Sequence, residues 1–428
     1  MKDPQFTTRE ELEAYQLERL RTLIRRSKRN PFWAPRLEKA GIDESIGDLA
    51  VFRERMPLLT KAELAEDQAK HPPHGTNLGA PIDDFVRLHQ TSASTGAPLR
   101  WLDTEENWSW MLDGWQRVFE AAGMTRSDRV FFAFSFGPFI GLWMAWCAAE
   151  RMGCLCIPGG ALNSANRARA IVANQADVLC CTPTYAARLG EVAREEGIDL
   201  AQAGLRAIVV GGEAGASIPA VREHIESLWH GARIYDHHGM TEVGPVSIPC
   251  PDRRDVLQVM EQAYLAEVID HETGEPLDPN EEVGELVLTT LGRFDSPVLR
   301  YRTGDLVRPS YGEDSKGRMI LQLEGGVIAR ADDMVVVRGV NLYPRTIDQC
   351  VRSQQGVAEY RVEIGTKRSM TELELLIEPL PEVQDIDGLC RKIGDAVYKV
   401  TNLRIGVRAV TIGGLPRFEL KAKRWIRV

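Results

Sequence analysis

The stretch VFFAFSFGPFIGLWMAWCAA, Val130–Ala149, decides whether the chain folds around a membrane span or around a sheet. It has twenty residues and no charged side chain, so its length alone would allow a transmembrane helix. Small and turn-forming residues interrupt its middle: Ser135, Gly137, Pro138 and Gly141. We therefore predict a buried strand over VFFAFSF, a turn at the Gly–Pro pair and a helix that runs into Glu150.

The segments on either side repeat this pattern. From about residue 85 to 240, apolar strands such as GCLCIPG, ADVLCCT and LRAIVVGGE alternate with helical patterns such as NRARAIVANQ and PAVREHIESLW. The alternation predicts a largely parallel sheet covered by helices. From 263 to 308, the strands AYLAEVID, GELVLTTL and VLRYRTGDLV are separated by the turn sequences HETGEP and DPNEEVG, which predicts a β-rich, antiparallel subdomain.

The length of 428 residues is too great for one compact core, so we expect more than one domain. The pattern changes again at ARADDMVVVRGVNLYP, which places a boundary near Asp332. We predict an α/β protein with a large N-terminal domain over residues 1–331, made of helix-covered sheets and the β-rich subdomain. A small α+β domain would follow over residues 332–428.

Composition and charge narrow the class of protein. Hydrophobic residues make up 44% of the chain and charged residues 26%, which is typical of globular proteins in water. The formal net charge of -9 argues against a nucleic-acid binder. The polar N-terminus shows no signal-peptide core, and the eight Cys residues have no His at ligand spacing, so we expect free thiols in a cytoplasmic protein.

A loop rich in small hydroxyl residues lies in HQTSASTGAPLRW, His89–Trp101. Its hydroxyl and backbone N–H groups could wrap an anion such as a phosphate. It is not a Walker A loop, because the spacing differs and position 97 is Ala rather than Lys. On its own, the stretch is more typical of an ordinary loop than of a phosphate site.

Four further stretches share this ambiguity when each is taken alone. They are VVGGEAGAS (Val209–Ser217), YDHHGMTEVGP (Tyr235–Pro245), YRTGDL (Tyr301–Leu306) and RADDMVVVRGVN (Arg330–Asn341). In this linear order, together with the hydroxyl loop, they resemble the adenylate-forming superfamily, and most closely the phenylacetate–CoA ligase family. The resemblance extends over nearly the whole chain, from NPFW to the C-terminal Lys.

The resemblance implies that Thr91–Gly96 binds the β- and γ-phosphates of ATP through directional donors. Glu242 of GMTE would ligate Mg²⁺, because a hard cation prefers carboxylate and phosphate oxygens, and Thr241 would donate to the α-phosphate. Asp305 would accept from both ribose hydroxyls, and Arg330 would reach the ribose–phosphate region. The implied nucleotide-binding residues are Thr91, Ser92, Ser94, Thr95, Gly96, Gly212, Glu213, Ala214, Asp236, His237, His238, Gly239, Met240, Asp305, Arg330 and Asp332.

Other roles follow from the same resemblance. Glu213, Ala214 and Asp236 would line the adenine slot. Residues 1–331 would form the adenylation domain, and residues 332–428 would form a mobile lid that turns about Asp332. Lys421, in PRFELKAKR, would bridge the substrate carboxylate and the α-phosphate, although the sequence around it would otherwise suggest a solvated tail residue.

The acid is expected in an apolar pocket for which Phe136, Phe139, Ile140, Trp143 and Gly211 are candidates. Aromatic side chains there would favour an aryl or arylacetic acid. The alternative is that these aromatic residues belong to the core.

The chain departs from the family pattern at four positions near the expected site. Ala93 replaces a Gly and Ala97 replaces a Lys in the hydroxyl loop, and Leu420 replaces the Gly before the catalytic Lys. His238 replaces a Tyr that stacks on adenine, and an imidazole can still stack with less area.

Many relatives carry a zinc site, which this chain has lost in part. Cys250 is retained, but Gln258 stands where a His would align, and PSYGEDSKGR contains no Cys. One thiolate cannot form a four-ligand site, so no structural zinc is expected.

The predicted function is ATP-dependent activation of a carboxylic acid as an acyl-adenylate, followed by thioester formation with coenzyme A. An amine or a carrier-protein thiol is an alternative acceptor, since both follow the same adenylate. A nucleotide- or acid-binding protein without turnover is a further alternative, which the altered hydroxyl loop suggests and the retained Glu242, Asp305 and Lys421 disfavour. We expect no nucleic-acid or membrane partner, and a homodimer is left open.

Overall fold

The computed structural model describes residues 6–91, 98–213, 215–277, 283–314, 316–333, 335–337, 340–367, 370–418 and 422–428. Within those segments, no helix is both long enough and apolar enough to cross a membrane.

Helices come first along the chain, then alternate with strands up to about residue 236, and are fewer after it. They are α1 Arg9–Ser27, α2 Ala34–Ala40, α3 Leu49–Arg55, α4 Lys61–Lys70, α5 Glu105–Ala121, α6 Ile140–Met152, α7 Ser164–Ala173, α8 Pro183–Glu195, α9 Pro219–Leu228, α10 Pro344–Arg352 and α11 Ile386–Thr401.

Most of the strands are short, and the long ones all lie after residue 300. They are β1 Phe85–Gln90, β2 Arg100–Thr104, β3 Arg129–Phe132, β4 Leu155–Pro158, β5 Val178–Cys181, β6 Ala207–Val210, β7 Arg233–Asp236, β8 Gly239–Met240, β9 Gly244–Pro245, β10 Ser247–Pro249, β11 Val256–Val259, β12 Tyr264–Ile269, β13 Gly284–Thr290, β14 Tyr301–Glu313, β15 Met319–Arg330, β16 Val335–Val337, β17 Val340–Leu342, β18 Val357–Lys367, β19 Met370–Pro379, β20 Gly406–Ala409 and β21 Trp425–Arg427.

The stretch 130–149 forms β3 and α6, so the prediction of a strand, a turn and a helix is confirmed. The strand is shorter than VFFAFSF, since β3 ends at Phe132. Beyond it, the carbonyl of Pro138 accepts a hydrogen bond from the N–H of Gln90 in β1, at 2.9 Å. The turn therefore joins the parallel sheet to the hairpin that flanks the hydroxyl loop.

A parallel sheet with strand order β4-β3-β5-β6-β7 forms the centre of the large domain, as the alternation of strands and helices predicts. Its side chains alternate between two cores because successive residues of a strand face opposite sides. Val130, Val178 and Val209 pack with α5 and α6, whereas Phe131, Leu179 and Ile208 pack with α7, α8 and α9. The sheet is thus covered on both faces, and its strands end at one shared edge.

The β-rich part is a six-stranded antiparallel sheet with strand order β10-β11-β15-β14-β13-β12, which confirms the predicted change of pattern. Side chains of the N-terminal helices share its core, among them Leu20, Phe52 and Leu64. This packing fixes α4 beside β14, where the YRTGD sequence begins.

The C-terminal part has a hydrophobic core of its own, which includes Val337, Ile347, Leu375 and Ile393. A four-stranded sheet with order β20-β19-β18-β21 packs with α10 and α11. The turn Ala331–Asp333 connects this part to β15. The boundary at Asp332 remains a prediction that is compatible with these separate cores.

Candidate active site

The turn between β8 and β9 carries Thr241 and Glu242. Gly244 follows them with φ of +89°, a left-handed conformation that favours glycine. The Glu242 side chain is buried, and the hydroxyl of Tyr301 donates to its Oε1 at 3.3 Å. The ammonium group of Lys61 lies 3.3 Å from the same oxygen. A buried carboxylate therefore faces a half-exposed cation that the sequence motifs had not identified.

A buried guanidinium fixes the backbone of this turn. Arg293 follows β13 and is fully buried, and its Nη1 donates to the carbonyl oxygens of Thr241 and Glu242 at 2.7 and 3.0 Å. Its Nε and Nη2 donate to the two carboxylate oxygens of Asp103, both at 2.7 Å. Asp103 belongs to β2, so this ion pair connects the GMTE turn to the β1–β2 hairpin.

The hydroxyl loop connects β1 and β2. Most of it lies outside the described residues, namely Ser92, Ala93, Ser94, Thr95, Gly96 and Ala97. Its ends are closed by Thr91 and Leu99. The Thr91 N–H donates to the Leu99 carbonyl at 2.9 Å, and the Thr91 hydroxyl accepts from the Leu99 N–H at 3.0 Å. The role of the loop in phosphate binding remains a prediction.

Asp305 lies buried in β14 between two basic side chains. His238 Nε2 is 2.8 Å from its Oδ2, and Arg330 Nη1 donates to its Oδ1 at 3.0 Å. Burial alone would raise the pKa of the Asp305 carboxyl, but the hydrogen bond from His238 and the charges of His238 and Arg330 hold this pKa below its usual range. Asp305 is therefore ionised at neutral pH, which suits its predicted role as an acceptor for ribose hydroxyls.

Arg330 also contacts the predicted hinge. Its Nε donates to the carboxylate of Asp332 at 3.0 Å, while its Nη1 donates to the carbonyl of Thr303. Arg330 thus bridges Asp305 and Asp332, the residues predicted to bind ribose and to form the hinge. His238 was predicted to stack on adenine; in this structure its imidazole faces Asp305, and the stacking role remains a prediction.

The expected adenine slot lies where β6 and β7 end. Asp236 is buried, and its Oδ2 accepts hydrogen bonds from the N–H and the hydroxyl of Ser217 at 2.9 and 2.6 Å, while burial raises the pKa of its carboxyl. Next to it, burial lowers the pKa of His237 to about 4, so this imidazole is neutral at physiological pH. A Cβ on Gly211 would lie 2.5 Å from His237 Nε2, so this position requires glycine.

Glu213 lies in the turn after Gly212, whose φ is +91°. One carboxylate oxygen accepts from the N–H of Thr184 at 2.9 Å, and the other accepts from the N–H of Ala422 at 3.1 Å. The second bond reaches the C-terminal segment. Ala214, Leu420 and Lys421 lie outside the described residues, so their predicted roles are not tested.

The candidate acid pocket contains a cluster of rings. The centroids of Phe136 and Trp143 are 4.6 Å apart, and Trp143 Nε1 donates to the Gly137 carbonyl at 2.8 Å. Ile140 belongs to the core, but Phe139 and Trp143 are 37% and 38% exposed. The cluster is therefore only partly core, and two of its rings reach solvent.

Cys250 and Gln258 lie together, with the Gln258 amide donating to the Cys250 sulfur at 3.5 Å. In the part of the chain that the structure describes, no group of three or more His, Cys, Asp or Glu side chains could hold a metal ion. The expected absence of zinc remains a prediction.

The geometry brings together the residues predicted from the GMTE, YRTGD and RADD stretches, since Glu242 contacts Tyr301, and Asp305 contacts His238 and Arg330. The motifs missed Lys61, Asp103 and Arg293. The only local pattern at Lys61 is LTKAEL, in which Thr60 caps the start of α4, so it indicates a helix rather than a site. Two buried carboxylates, predicted to bind a cation and ribose, thus both contact residues of β14 or belong to it, as the resemblance to nucleotide-activating enzymes implies.

Comparison with known proteins agrees with this assignment. Residues 4–293 match the family model described as AMP-binding enzyme, and residues 339–427 match the model described as AMP-binding enzyme C-terminal domain. The chain is 31% identical over 388 residues to a phenylacetate-coenzyme A ligase of Thermus thermophilus, covering 88% of this chain and 84% of that one. It is 31% identical over 424 residues to the enzyme of the same name from Pseudomonas putida, covering 96% and 93%.

Among solved structures, the chain is similar to a 2-hydroxyisobutyryl-CoA ligase that was determined in several states. In the postadenylation state with its acyl-AMP, that ligase superimposes with a TM-score of 0.90 at 28% identity, covering 98% of this chain and 89% of the other. The TM-score falls to 0.73 for the thioesterification state, at 29% identity over 98% and 90% of the two chains. It is 0.70 for an open conformation, at 28% identity over 97% and 92%.

The fold and the site define an adenylate-forming enzyme, and the chain belongs to the AMP-binding enzyme family. Within it, the protein is an AMP-forming acid–CoA ligase that resembles the phenylacetate–CoA ligases. It activates a carboxylic acid with ATP as an acyl-adenylate before forming a thioester with coenzyme A. The resemblance recognised from the order of the five motifs is therefore confirmed.

Proposed function

We propose that the acid is an aryl or arylacetic acid. The observation that carries this proposal is the position of the ring cluster, because α6, which contains Ile140 and Trp143, packs on β8 and β9 beside Glu242. Two partly exposed rings next to the reacting groups would bind a flat apolar acid. The phenylacetate-coenzyme A ligases named above are compatible with this choice.

The proposed first step is attack of the acid's carboxylate oxygen on the α-phosphate of ATP, which releases pyrophosphate. Thr241 would donate to the α-phosphate, and Asp305 would hold the ribose. Lys421 would offset the negative charge that gathers around the phosphorus atom. Lys61 would supply a second cation on a flexible side chain. Its ammonium group lies 3.3 Å from Glu242, within reach of the same region.

Glu242 is proposed to hold Mg²⁺. The donor set fits, because Mg²⁺ in nucleotide sites is bound by one or two carboxylates together with substrate phosphates. The oxygens of Glu242 are buried beside a cation that can move away, since Lys61 is half-exposed. A bound Mg²⁺ would neutralise part of the phosphate charge.

In the second proposed step, the small domain turns about Asp332 and withdraws Lys421. The thiol of coenzyme A then attacks the acyl carbon, forming the thioester and releasing AMP. The 2-hydroxyisobutyryl-CoA ligase with coenzyme A bound is compatible with this order of steps. A cytoplasmic location and a homodimer are further proposals.

The test of this function is ATP–pyrophosphate exchange with coenzyme A omitted, on a panel of aryl, arylacetic and short aliphatic acids. We expect exchange with the aromatic acids, and AMP release when coenzyme A is added. AMP release with an amine but not with a thiol would replace the acceptor. Absence of exchange with every acid, in protein shown to bind ATP, would favour binding without turnover.

A further inference from the structure

The Glu213 carboxylate joins α8 to a segment near the C-terminus, 209 residues further along the chain than Glu213 itself. Its Oε1 accepts from the N–H of Thr184, and its Oε2 accepts from the N–H of Ala422. The first bond belongs to the large domain, and the second reaches the segment that leads into β21. No motif had suggested a contact between these segments.

The large domain holds Glu213 firmly. Thr184 is the second residue of α8, so its N–H is among those that have no acceptor within the helix. The positive end of the helix dipole also favours a carboxylate at this position. Since Gly212 turns the chain directly after β6, the carboxylate is fixed between the sheet and the first turn of α8.

The bond to Ala422 bears directly on Lys421, the residue before it. Consecutive Cα atoms are about 3.8 Å apart, so the bond to the Ala422 N–H acts one residue away from the lysine in the sequence. Resting on the function proposed above, we propose that Glu213 is a positioning residue for adenylation. It docks the lysine-bearing segment onto the large domain while the acyl-adenylate forms, and it releases that segment when the domain turns.

Two independent observations support a docked arrangement. Arg345 of α10 donates to the Val327 carbonyl in β15 at 2.5 Å, so a second contact holds the small domain against the large one. In addition, the TM-score to one and the same ligase is 0.90 in its postadenylation state but 0.73 in its thioesterification state. Identity and coverage are nearly equal in the two comparisons, so the chain as a whole superimposes better on the postadenylation state.

Docking differs measurably from the adenine-slot role that the resemblance implied for Glu213. A residue that only binds adenine would raise the KM for ATP and weaken both half-reactions, because the adenylate carries the same base. A docking residue acts only where Lys421 is needed. Its loss would lower kcat for adenylation, leaving the KM for ATP and the thioester step nearly unchanged.

The experiment compares Glu213→Gln, Ala422→Pro and the control Glu196→Gln. The first variant loses the charge, and its amide can accept through only one oxygen. The second removes the N–H donor without touching Glu213 or α8. The control removes an exposed carboxylate just beyond the other end of α8, where Glu196 pairs with Arg169. Adenylation is measured by ATP–pyrophosphate exchange, and the second half-reaction by thioester formation from a supplied acyl-adenylate.

We expect exchange to fall by about 10- to 100-fold in both test variants, in line with the loss of a hydrogen bond to a charged group. Thioester formation should stay within about twofold, and the control should match the parent protein. Equal loss of both half-reactions, a raised KM for ATP alone, or no change in exchange would each overturn the docking role. Lys421→Ala separates the two proposals, because unchanged exchange in that variant would instead contradict the role given to the lysine.

Discussion

The GMTE turn and the lysine-bearing segment are proposed to act on the same phosphate, yet they are held in opposite ways. The backbone of the turn is bound by Arg293, a fully buried guanidinium that is itself paired with a buried carboxylate. The segment after Lys421 is bound by the N–H of Ala422, through a hydrogen bond to a partly buried carboxylate of the other domain. We infer that the GMTE turn, which is the fixed side of the site, keeps its position throughout the reaction. The lysine-bearing segment can detach.

Removing the buried ion pair that holds the GMTE turn should have the largest effect, and that effect should be on stability. In Arg293→Met, the buried Asp103 loses its partner, and we expect the free energy of unfolding to fall by about 3–5 kcal/mol, measured by urea denaturation. The matched control is the double variant Arg293→Met with Asp103→Leu, which removes both charges and should recover part of the loss. A single variant as stable as the parent protein would show that this side is not fixed by the pair.

Removing the lysine should spare stability and change one half-reaction. We expect Lys421→Ala to slow ATP–pyrophosphate exchange by about 10²–10³-fold, because a cation that stabilises transition-state charge is lost. Thioester formation from a supplied acyl-adenylate should persist, since the proposed rotation withdraws the lysine before that step. If both half-reactions declined together, the idea that this side detaches would be wrong.

The smallest expected effect is on the pH dependence of stability, and it concerns buried His residues of the large domain. Burial lowers the pKa of His89 and His237 to about 4, against 6.5 in the unfolded chain. As the pH falls from 6.5 towards 4, the unfolded chain therefore binds protons that the folded protein does not, and stability decreases. Between pH 7.5 and 5.5, each imidazole should lower the free energy of unfolding by about 1 kcal/mol.

The variant His237→Phe should remove its share of this decrease in urea titrations at the two pH values. His230→Asn, which replaces an exposed imidazole, should leave the decrease as in the parent protein. Identical pH dependence in the His237 variant and the parent would mean that this ring is not held neutral.

The sequence was most informative where one periodicity governs a whole element. Continuous apolar runs between helical segments predicted β5 and β6, and every residue in these strands is buried on one face or the other. Thr60 and Glu63 form the capping box of α4, a pattern that is readable in sequence because it needs only two residues three apart. Strand ends were harder, as β3 shows, because a strand stops where its neighbours stop hydrogen bonding to it.

The site was predictable only where its residues share a motif. Glu242 and Asp305 could be named from GMTE and YRTGD. The contacts that orient them could not, because Arg293 reaches Asp103 across 190 residues and His238 reaches Asp305 across 67. A buried ion pair leaves no local pattern, since each partner alone resembles an ordinary surface charge.

The hairpin of β14 and β15 has a consequence for the reactive intermediate. Asp305 and Arg330 are direct partners in its ladder, and the turn Ala331–Asp333 follows immediately. Rotation at Asp332 would therefore begin just beyond the hydrogen-bonded Asp305–Arg330 pair. The ribose of the acyl-adenylate, a mixed anhydride, would stay bound while the small domain rotates. An anhydride that water can hydrolyse would thus survive a large rearrangement without diffusing into the bulk, and each ATP consumed would yield one thioester.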